Sequence, residues 1–280
     1  MADDARTLTL GFSPCPNDTF IFHALVHGAV EAEDFRFAPR LEDVETLNRL
    51  AADAALDVTK VSYGALPHLL RDYVLLKSGG ALGRGCGPLV VAREPLDAAE
   101  LAGKRIAIPG AHTTANLLLR LFAPSAAPGI ERVYSDIIPA VARGEVDAGL
   151  IIHESRFTYP QHGLVKVVDL GEWWEGTTGL PIPLGGILAR RDLGAGTIRA
   201  IDDALRRSVE HAFADPAASR DYVRAHAQEM DGEVTRQHID LYVNRFSVDV
   251  GDEGERAIHE LFARARAAGI VAGDVESPFL

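Results

Sequence analysis

Apolar and polar positions in the first part of the chain follow two alternating periods. Residues 7–12 form a short apolar run typical of a buried strand, and Asp18 follows where it can cap the next helix. Val44, Leu47 and Ala51 then recur at helical spacing on one face. This order of strand and helix predicts a mostly parallel sheet covered by helices. Further strands are predicted at residues 35–38, 57–61 and 73–77.

A second unit with the same rhythm begins near Arg93. Its predicted helices cover residues 113–122 and 136–143. From Ala195 onward, the apolar positions recur only at helical spacing. The pattern therefore predicts an α/β protein with a helical C-terminal tail. The strands predicted for the second unit lie at residues 105–109, 131–134, 148–152 and 164–169.

Two similar apolar segments, each led by glycine, lie at the edges of the second unit, at residues 87–93 and 185–190. They fit a chain that passes twice between two lobes. This interpretation predicts a large lobe of residues 1–91 and 189–280, with residues 92–188 inserted as a small lobe. The same segments fit two ordinary core strands about equally well. If the chain does cross, a ligand cleft lies between the lobes, where small-molecule sites are common.

Short polar clusters follow four of the predicted strands. They lie at residues 13–18, at Ser62, at residues 110–116 and at residues 153–155. In an open parallel sheet, ligands bind beyond the carboxyl ends of the strands. We therefore expect all four clusters to face one cleft.

Residues 110–116 combine a glycine with hydroxyl residues at a predicted helix start. Free backbone N–H groups and the positive end of the helix dipole make such a start a seat for a carboxylate or phosphate. The polar side chains of this segment are His112, Thr113, Thr114 and Asn116, of which the last three are the candidate ligand-binding residues. The alternative is ordinary capping by Thr113, which stabilises a helix by about 1 kcal/mol without any ligand.

His153 follows an aliphatic strand, and a histidine in a closing cleft can act as a general base near neutral pH. The alternative is a hydrogen-bonded structural histidine. Because side chains alternate along a strand, His153 and Glu154 are predicted to point to opposite faces and not to pair.

The composition limits the classes of partner. The chain has 280 residues, 47% of them hydrophobic, and a formal net charge of −12, which disfavours nucleic acid and anionic membranes. No apolar run reaches the ~18–20 residues that a membrane span needs. The acidic first residues lack the pattern of a secretory signal. These features predict a cytoplasmic globular protein with a small-molecule ligand.

Three further motifs are weaker candidates. His23 and His27 lie four residues apart on a predicted helix, but the sequence places no third ligand beside them, so no metal site is predicted. Residues 83–87 are rich in glycine, yet they precede a strand instead of joining a strand to a helix as a phosphate loop does. Cys15 lies between two prolines without an identifiable partner base, and a packed thiol is the simpler interpretation.

Four segments together resemble the 1,4-dihydroxy-6-naphthoate synthase family of the futalosine route to menaquinone. They are residues 13–20 (Ser-Pro-Cys-Pro-Asn-Asp-Thr-Phe), residues 57–63, residues 112–114 and residues 149–159. The resemblance extends over residues 7–193, and no matching motif position departs from the family pattern.

This resemblance implies a two-lobed periplasmic-binding-protein-like fold of type II. It also implies a lyase that cleaves cyclic dehypoxanthine futalosine to 1,4-dihydroxy-6-naphthoate and dihydroxyacetone, without a metal or an organic cofactor. His153 matches the position regarded as the catalytic base, and the cleft-lining positions match Ser62, Thr113 and Thr114. From their places at strand ends, Asn17 and Asn116 are expected to bind hydroxyl groups of the ligand.

Two other functions remain open at this point. The first is a solute receptor without catalysis, since the same two-lobed fold serves receptors. The second is a sister enzyme on the same fold, such as chorismate dehydratase. The segments at residues 13–20 and 152–159 resemble the naphthoate synthases more closely.

Overall fold

The computed structural model describes residues 6–32, 35–227, 231–272 and 277–280. The strands of this part of the chain are β1 Arg6–Phe12, β2 Phe35–Leu41, β3 Val58–Ser62, β4 Tyr73–Leu75, β5 Ala81–Gly83, β6 Leu89–Ala92, β7 Ile106–Ile108, β8 Ile130–Glu131, β9 Ala148–Ile151, β10 Val165–Asp169 and β11 Ile182–Arg190. They form two sheets. The first has the order β2-β1-β3-β11-β4, with β5 paired to β11, and the second has the order β10-β6-β9-β7-β8.

The helices cover both units, and in the described residues after β11 the regular elements are helical. They are α1 Pro16–Val26, α2 Val44–Ala52, α3 Thr114–Phe122, α4 Tyr134–Ala142, α5 Ser155–Thr158, α6 Leu170–Thr178, α7 Ala195–Ala214, α8 Arg220–His226, α9 Gly232–Tyr242, α10 Arg245–Val248 and α11 Gly251–Ala267. Short 3₁₀ turns lie at Leu66–His68, Ala98–Leu101, Tyr159–His162 and Arg191–Leu193. The predicted α/β alternation and helical tail are confirmed.

Strand β3 lies at the centre of the first sheet. All five of its residues are buried, including Lys60, because β1 pairs with it on one side and β11 on the other. The pairing of β3 with β1 is parallel, as is that of β1 with β2, so the carboxyl ends of these strands meet at one edge. In the second sheet, β7 runs parallel to β9 and to β8.

The chain changes sheet twice. It leaves the first sheet after β5 and enters the second with β6, and it returns to the first sheet with β11. The first change lies a few residues before the predicted lobe boundary at 91/92, and the second lies between Asp169 and Ile182, before the predicted boundary at 188/189. The division into a lobe of residues 1–91 and 189–280 and a lobe of residues 92–188 stays a prediction.

Helix α1 begins three residues earlier than its sequence predicts, with Cys15 and not Asp18 as the N-cap residue. Pro16 occupies the first helical position, where a missing N–H costs nothing, and Cys15 is the N-cap residue. Asp18 therefore does not cap the helix. Its carboxylate instead accepts hydrogen bonds from the backbone N–H of Ser13 at 3.1 Å and from the Ser13 hydroxyl at 2.7 Å.

Candidate active site

A cavity opens where the carboxyl ends of β1, β3, β7 and β9 come together. It spans about 650 Å³, including the space at its mouth. Its polar groups come from several distant segments, and apolar side chains fill the walls between them. The lining residues are Ser13, Asn17, Asp18, Val44, Lys60, Ser62, Ala81, Pro88, Thr113, Thr114, Ala115, Ile152, His153, Leu184, Gly185 and Tyr242.

The structure brings five of the six sequence-predicted site residues to this cavity. They are Asn17, Ser62, Thr113, Thr114 and His153. Asn116 is the exception. Its side-chain amide donates to the backbone carbonyl of Ala111 at 2.9 Å, and it lines a separate cavity beside Arg120 and Ala268. One turn into α3, the helix has rotated this side chain away from the others.

A buried ion pair forms one side of the cavity. The ammonium group of Lys60 contacts Oδ1 of Asp18, and the side chains are 8% and 1% exposed. Asn17 adds a hydrogen bond of 2.7 Å from its Nδ2 to the same carboxylate. Buried charges need such partners, because an isolated charge away from water is strongly unfavourable. The pair therefore leaves little net charge beside the ligand space.

His153 adopts a left-handed backbone conformation with a φ of 57°, which is uncommon for a residue other than glycine. Because β9 ends at Ile151, the strand alternation that predicts opposite faces for His153 and Glu154 does not apply. Both side chains contact Tyr134. The His153 ring packs edge-on against the Tyr134 ring at 5.1 Å, and Glu154 Oε1 accepts from the Tyr134 hydroxyl at 3.2 Å.

The surroundings of His153 favour a neutral imidazole. Burial lowers the pKa of His153 below its ordinary value, while negative charge on Glu154 or Asp18 acts in the opposite direction. A neutral imidazole has a free lone pair and can accept a proton from a bound molecule. The imidazole of His153 is thus favoured in the form that can accept a proton.

The start of α3 offers backbone donors more than hydroxyl donors. The Thr113 hydroxyl donates to the carbonyl of Gly110 at 2.8 Å and accepts from the N–H of Asn116 at 3.2 Å. Thr113 therefore caps α3, as the alternative interpretation of this segment predicts. The first N–H groups of α3, on Thr114 and Ala115, have no helical carbonyl to bind, and both residues line the cavity.

Thr114 connects the start of α3 to the first sheet, at β11 and just after β3. Its hydroxyl donates to the carbonyl of Leu184 at 2.5 Å and accepts from the N–H of Gly64 at 3.1 Å. Ser62 keeps more freedom, because its oxygen accepts from Nδ2 of Asn48 at 3.3 Å while its own proton remains available. Ser62 is therefore the better hydroxyl donor to a ligand.

Two residues beside the cavity have almost no signal in the local sequence pattern. His238 and Tyr242 lie on α9, where the spacing of Ile239, Tyr242 and Val243 predicts only an apolar face. His238 Nε2 lies 2.8 Å from Oδ1 of Asn17, across 221 positions of sequence. The one available signal is a polar histidine four residues before Tyr242, at the spacing that puts both on one helix face.

The weaker sequence candidates have structural roles. The rings of His23 and His27 stack at 4.4 Å and contact Tyr222. Burial raises the pKa of the Cys15 thiol, which disfavours the reactive thiolate. Within the described ranges, we find no group of three or more His, Cys, Asp or Glu side chains arranged for a metal ion. None of the helices in those ranges has the length and apolar character to span a membrane.

Solved structures with the same fold extend over nearly the whole chain. A protein of Archaeoglobus fulgidus superposes with a TM-score of 0.89 at 37% identity, covering 95% of this chain and 98% of that chain. A Candida albicans gene product described as having the generic periplasmic binding protein fold gives 0.72 at 14% identity, with coverage of 97% and 93%. The alkanesulfonate-binding protein SsuA of Xanthomonas axonopodis pv. citri gives 0.71 at 15% identity, with coverage of 97% and 96%. The periplasmic-binding-protein-like fold is thus confirmed.

Sequence comparison identifies the family. A family model described as menaquinone biosynthesis matches residues 8–267. A protein of Thermus thermophilus named 1,4-dihydroxy-6-naphtoate synthase is 63% identical over 267 residues, covering 95% of this chain and 97% of that protein. A protein of Streptomyces coelicolor with the same name is 53% identical over 275 residues, covering 95% of each. The chain therefore belongs to the menaquinone-biosynthesis family of enzymes that includes the 1,4-dihydroxy-6-naphthoate synthases.

Proposed function

We propose that this protein is a carbon–carbon lyase that converts cyclic dehypoxanthine futalosine to 1,4-dihydroxy-6-naphthoate and releases dihydroxyacetone. The observation that carries the proposal is His153, an imidazole favoured in its neutral form, in one cavity with the free N–H groups at the start of α3. A base and an oxyanion seat are the two groups that a retro-aldol cleavage needs.

In the proposed step, His153 takes the proton of a substrate hydroxyl group. The electron pair of that O–H bond forms the carbonyl of the departing three-carbon fragment. The carbon–carbon bond breaks, and its electron pair moves into the bicyclic ring system and onto an oxygen. Return of the proton from His153 completes the cleavage without net gain or loss of protons, and aromatisation of the bicycle makes it favourable.

The developing oxygen charge is proposed to lie at the start of α3. The N–H groups of Thr114 and Ala115 would donate to it, with the positive end of the helix dipole behind them. The Thr113 and Thr114 hydroxyls support this seat indirectly, since both are already engaged with the protein. They hold the helix start and the crossing strand in place.

The remaining lining groups fit the two halves of the substrate. Apolar side chains such as Ile152, Leu184 and Tyr242 provide walls for an aromatic bicycle. Ser62 and Asn17 would bind the sugar-derived hydroxyl groups. Closure of the two units around the ligand would exclude water from the charged intermediate.

The test is product analysis of the purified protein with cyclic dehypoxanthine futalosine. We expect 1,4-dihydroxy-6-naphthoate and dihydroxyacetone in equal amounts, with no added metal or cofactor. Turnover of chorismate in a parallel reaction would instead identify the sister dehydratase. Tight binding of the futalosine derivative without any product would favour a receptor and would contradict the lyase.

A further inference from the structure

Two buried polar atoms behind His153 face each other without a hydrogen bond. Oε2 of Glu154 and Nδ1 of His238 lie 3.9 Å apart, and each has no hydrogen-bond partner among the residues that the structure describes. His238 is fully buried and the Glu154 side chain is 10% exposed. Buried polar atoms are nearly always paired, so this exception needs an explanation.

The hydrogen-bond chain on the far side of His238 assigns its protonation. Nδ2 of Asn17 donates to the Asp18 carboxylate at 2.7 Å, so Oδ1 of Asn17 must face His238. That oxygen accepts, and Nε2 of His238 at 2.8 Å must therefore carry a proton. In a neutral His238, Nδ1 is then an acceptor, and it faces a carboxyl oxygen.

Two acceptors facing each other in a buried site repel, and a single proton between them removes the repulsion. A gap of 3.9 Å is too short for a water molecule on the line between the two atoms, which would need about 5.5 Å. The other oxygen of Glu154 already accepts from the Tyr134 hydroxyl. One proton carried by the Glu154–His238 pair therefore removes the repulsion, and approach of the two atoms from 3.9 Å to about 3 Å would let that proton form a hydrogen bond.

The pair lies where it can fix the orientation of His153. The His238 ring stacks on the His153 ring at 6.1 Å with 23° between the planes, and the Tyr134 ring packs against His153 at 5.1 Å. Glu154 contacts both flanking residues, because its Oε1 accepts from the Tyr134 hydroxyl and its Oε2 lies 3.9 Å from Nδ1 of His238. Among the described residues, His153 has no side-chain hydrogen bond that would orient it directly, so its flanking rings must do so.

We propose that Glu154 is a positioning residue for His153, and that it holds one proton in common with His238 while it binds Tyr134. The Glu154 carboxyl group thereby links Tyr134 and His238, whose rings pack against His153. This inference rests on the proposed role of His153 as the base. Six charged or titratable groups face His153. Glu154 comes from its own segment, and the other five come from five other segments. These five are Asp18, Lys60, Asp43, Tyr134 and His238.

The test compares Glu154→Gln with Glu154→Ala. A glutamine carries a donor for Nδ1 of His238 and an acceptor for Tyr134, so it reproduces the carboxyl group with its proton. We expect Glu154→Gln to keep kcat within about 3-fold of the wild type. Glu154→Ala should lower kcat by about 10- to 100-fold with KM nearly unchanged, because the ring is no longer held for proton transfer.

A second readout follows the His153 ring by NMR as the pH is varied, with the resonance assigned from its absence in His153→Gln. If the Glu154–His238 pair already holds a proton, Glu154→Gln removes no charge and the titration midpoint of His153 stays at its wild-type value. If Glu154 is a bare carboxylate, the midpoint falls by about 1 pH unit and the proposal is overturned. Equal losses of kcat in Glu154→Gln and Glu154→Ala, or no loss in either, would overturn it as well.

Glu260→Ala is the control, since Glu260 pairs with Arg264 at 2.7 Å on α11 and is not among the cavity-lining residues. Its kcat and the His153 midpoint should match the wild type. If Glu154→Ala does not fold, the titration of Glu154→Gln decides alone. The titration also needs no substrate, so a wild-type protein that makes no naphthoate would contradict the proposed function without deciding the role of Glu154.

Discussion

The ring of His153 lies nearly parallel to the ring of His238, with 6.1 Å between their centroids and 23° between their planes. The first residue follows β9 of the second sheet, and the second lies on α9 of the helical tail. The tail is therefore part of the candidate active site. It supplies one of the two rings that enclose the proposed base, together with Tyr242 at the cavity wall.

The pH dependence of turnover should reflect the burial of His153. Only the neutral imidazole accepts a proton, and burial lowers the pKa of His153 from its ordinary 6.5. We therefore expect the midpoint of the acid-side decrease of kcat/KM to lie below pH 6.5. Steady-state rates from pH 5 to 8 measure this. A decrease centred above pH 7 would mean that another group, or a solvated histidine, provides the base.

The buried pair of Lys60 and Asp18 should be costly to break. Lys60→Met leaves the Asp18 carboxylate buried without its cation, and we expect the free energy of unfolding to fall by about 3–5 kcal/mol. Urea denaturation measures the change. Lys166→Met is the control, because Lys166 and Glu172 are exposed and such a pair contributes at most about 1 kcal/mol. Similar small losses in both variants would show that Asp18 does not depend on Lys60.

The left-handed backbone of His153 predicts an unusual order of stabilities. Glycine adopts a φ of 57° without strain and alanine does not, so His153→Gly should be more stable than His153→Ala by about 1 kcal/mol. Thermal unfolding of the two variants measures the difference. Ala54 is the other described non-glycine residue with a positive φ, at 51°, and Ala54→Gly should also stabilise. The backbone assignment would be contradicted if His153→Ala were more stable than His153→Gly and the wild type, with Ala54, were more stable than Ala54→Gly.

Glu45 should help to hold α2 of the first unit against the start of α3, which lines the cavity. It lies on α2, beside the first sheet, and it contacts His112, just before α3 of the second unit, through the backbone N–H at 3.3 Å and Nδ1 at 3.1 Å. We expect Glu45→Ala to raise KM by about 10-fold with a smaller effect on kcat, since truncation of a buried charged partner costs several kcal/mol locally.

Two further variants make this test specific. Gly110→Ala would place a methyl group 2.5 Å from the Glu45 carboxylate at a φ of 153°, and it should raise KM in the same way. Glu131→Ala removes the exposed partner of Arg49 and should leave KM within 2-fold of the wild type. A KM that responds equally to all three changes would point to a general loss of stability instead.

Much of the cavity follows from local sequence. Apolar runs predict the strands, and the rule that ligands bind at the carboxyl ends of parallel strands brings Ser62, Thr113 and His153 to one place. Asn116 shows where this reasoning fails. A strand end predicts the start of α3, but it does not predict which way the helix turns a residue in its first turn.

The remaining features depend on contacts between distant segments. His238 reaches Asn17 across 221 positions, and Lys60 reaches Asp18 across 42. A lysine within an apolar strand gives no indication of the carboxylate that neutralises it. The left-handed backbone of His153 and its ring contacts with Tyr134 and His238 also have no signal in the strand pattern before it.

The most direct test of the account compares His153→Gln with the wild type in two measurements on cyclic dehypoxanthine futalosine. Calorimetry measures binding, and product analysis measures the rate of naphthoate formation. We predict an affinity within about 3-fold of the wild type and a rate lowered by at least about 100-fold, since a general base contributes about 10²–10⁴-fold. Near-wild-type turnover by His153→Gln at all pH values would contradict the assignment of His153 as the base.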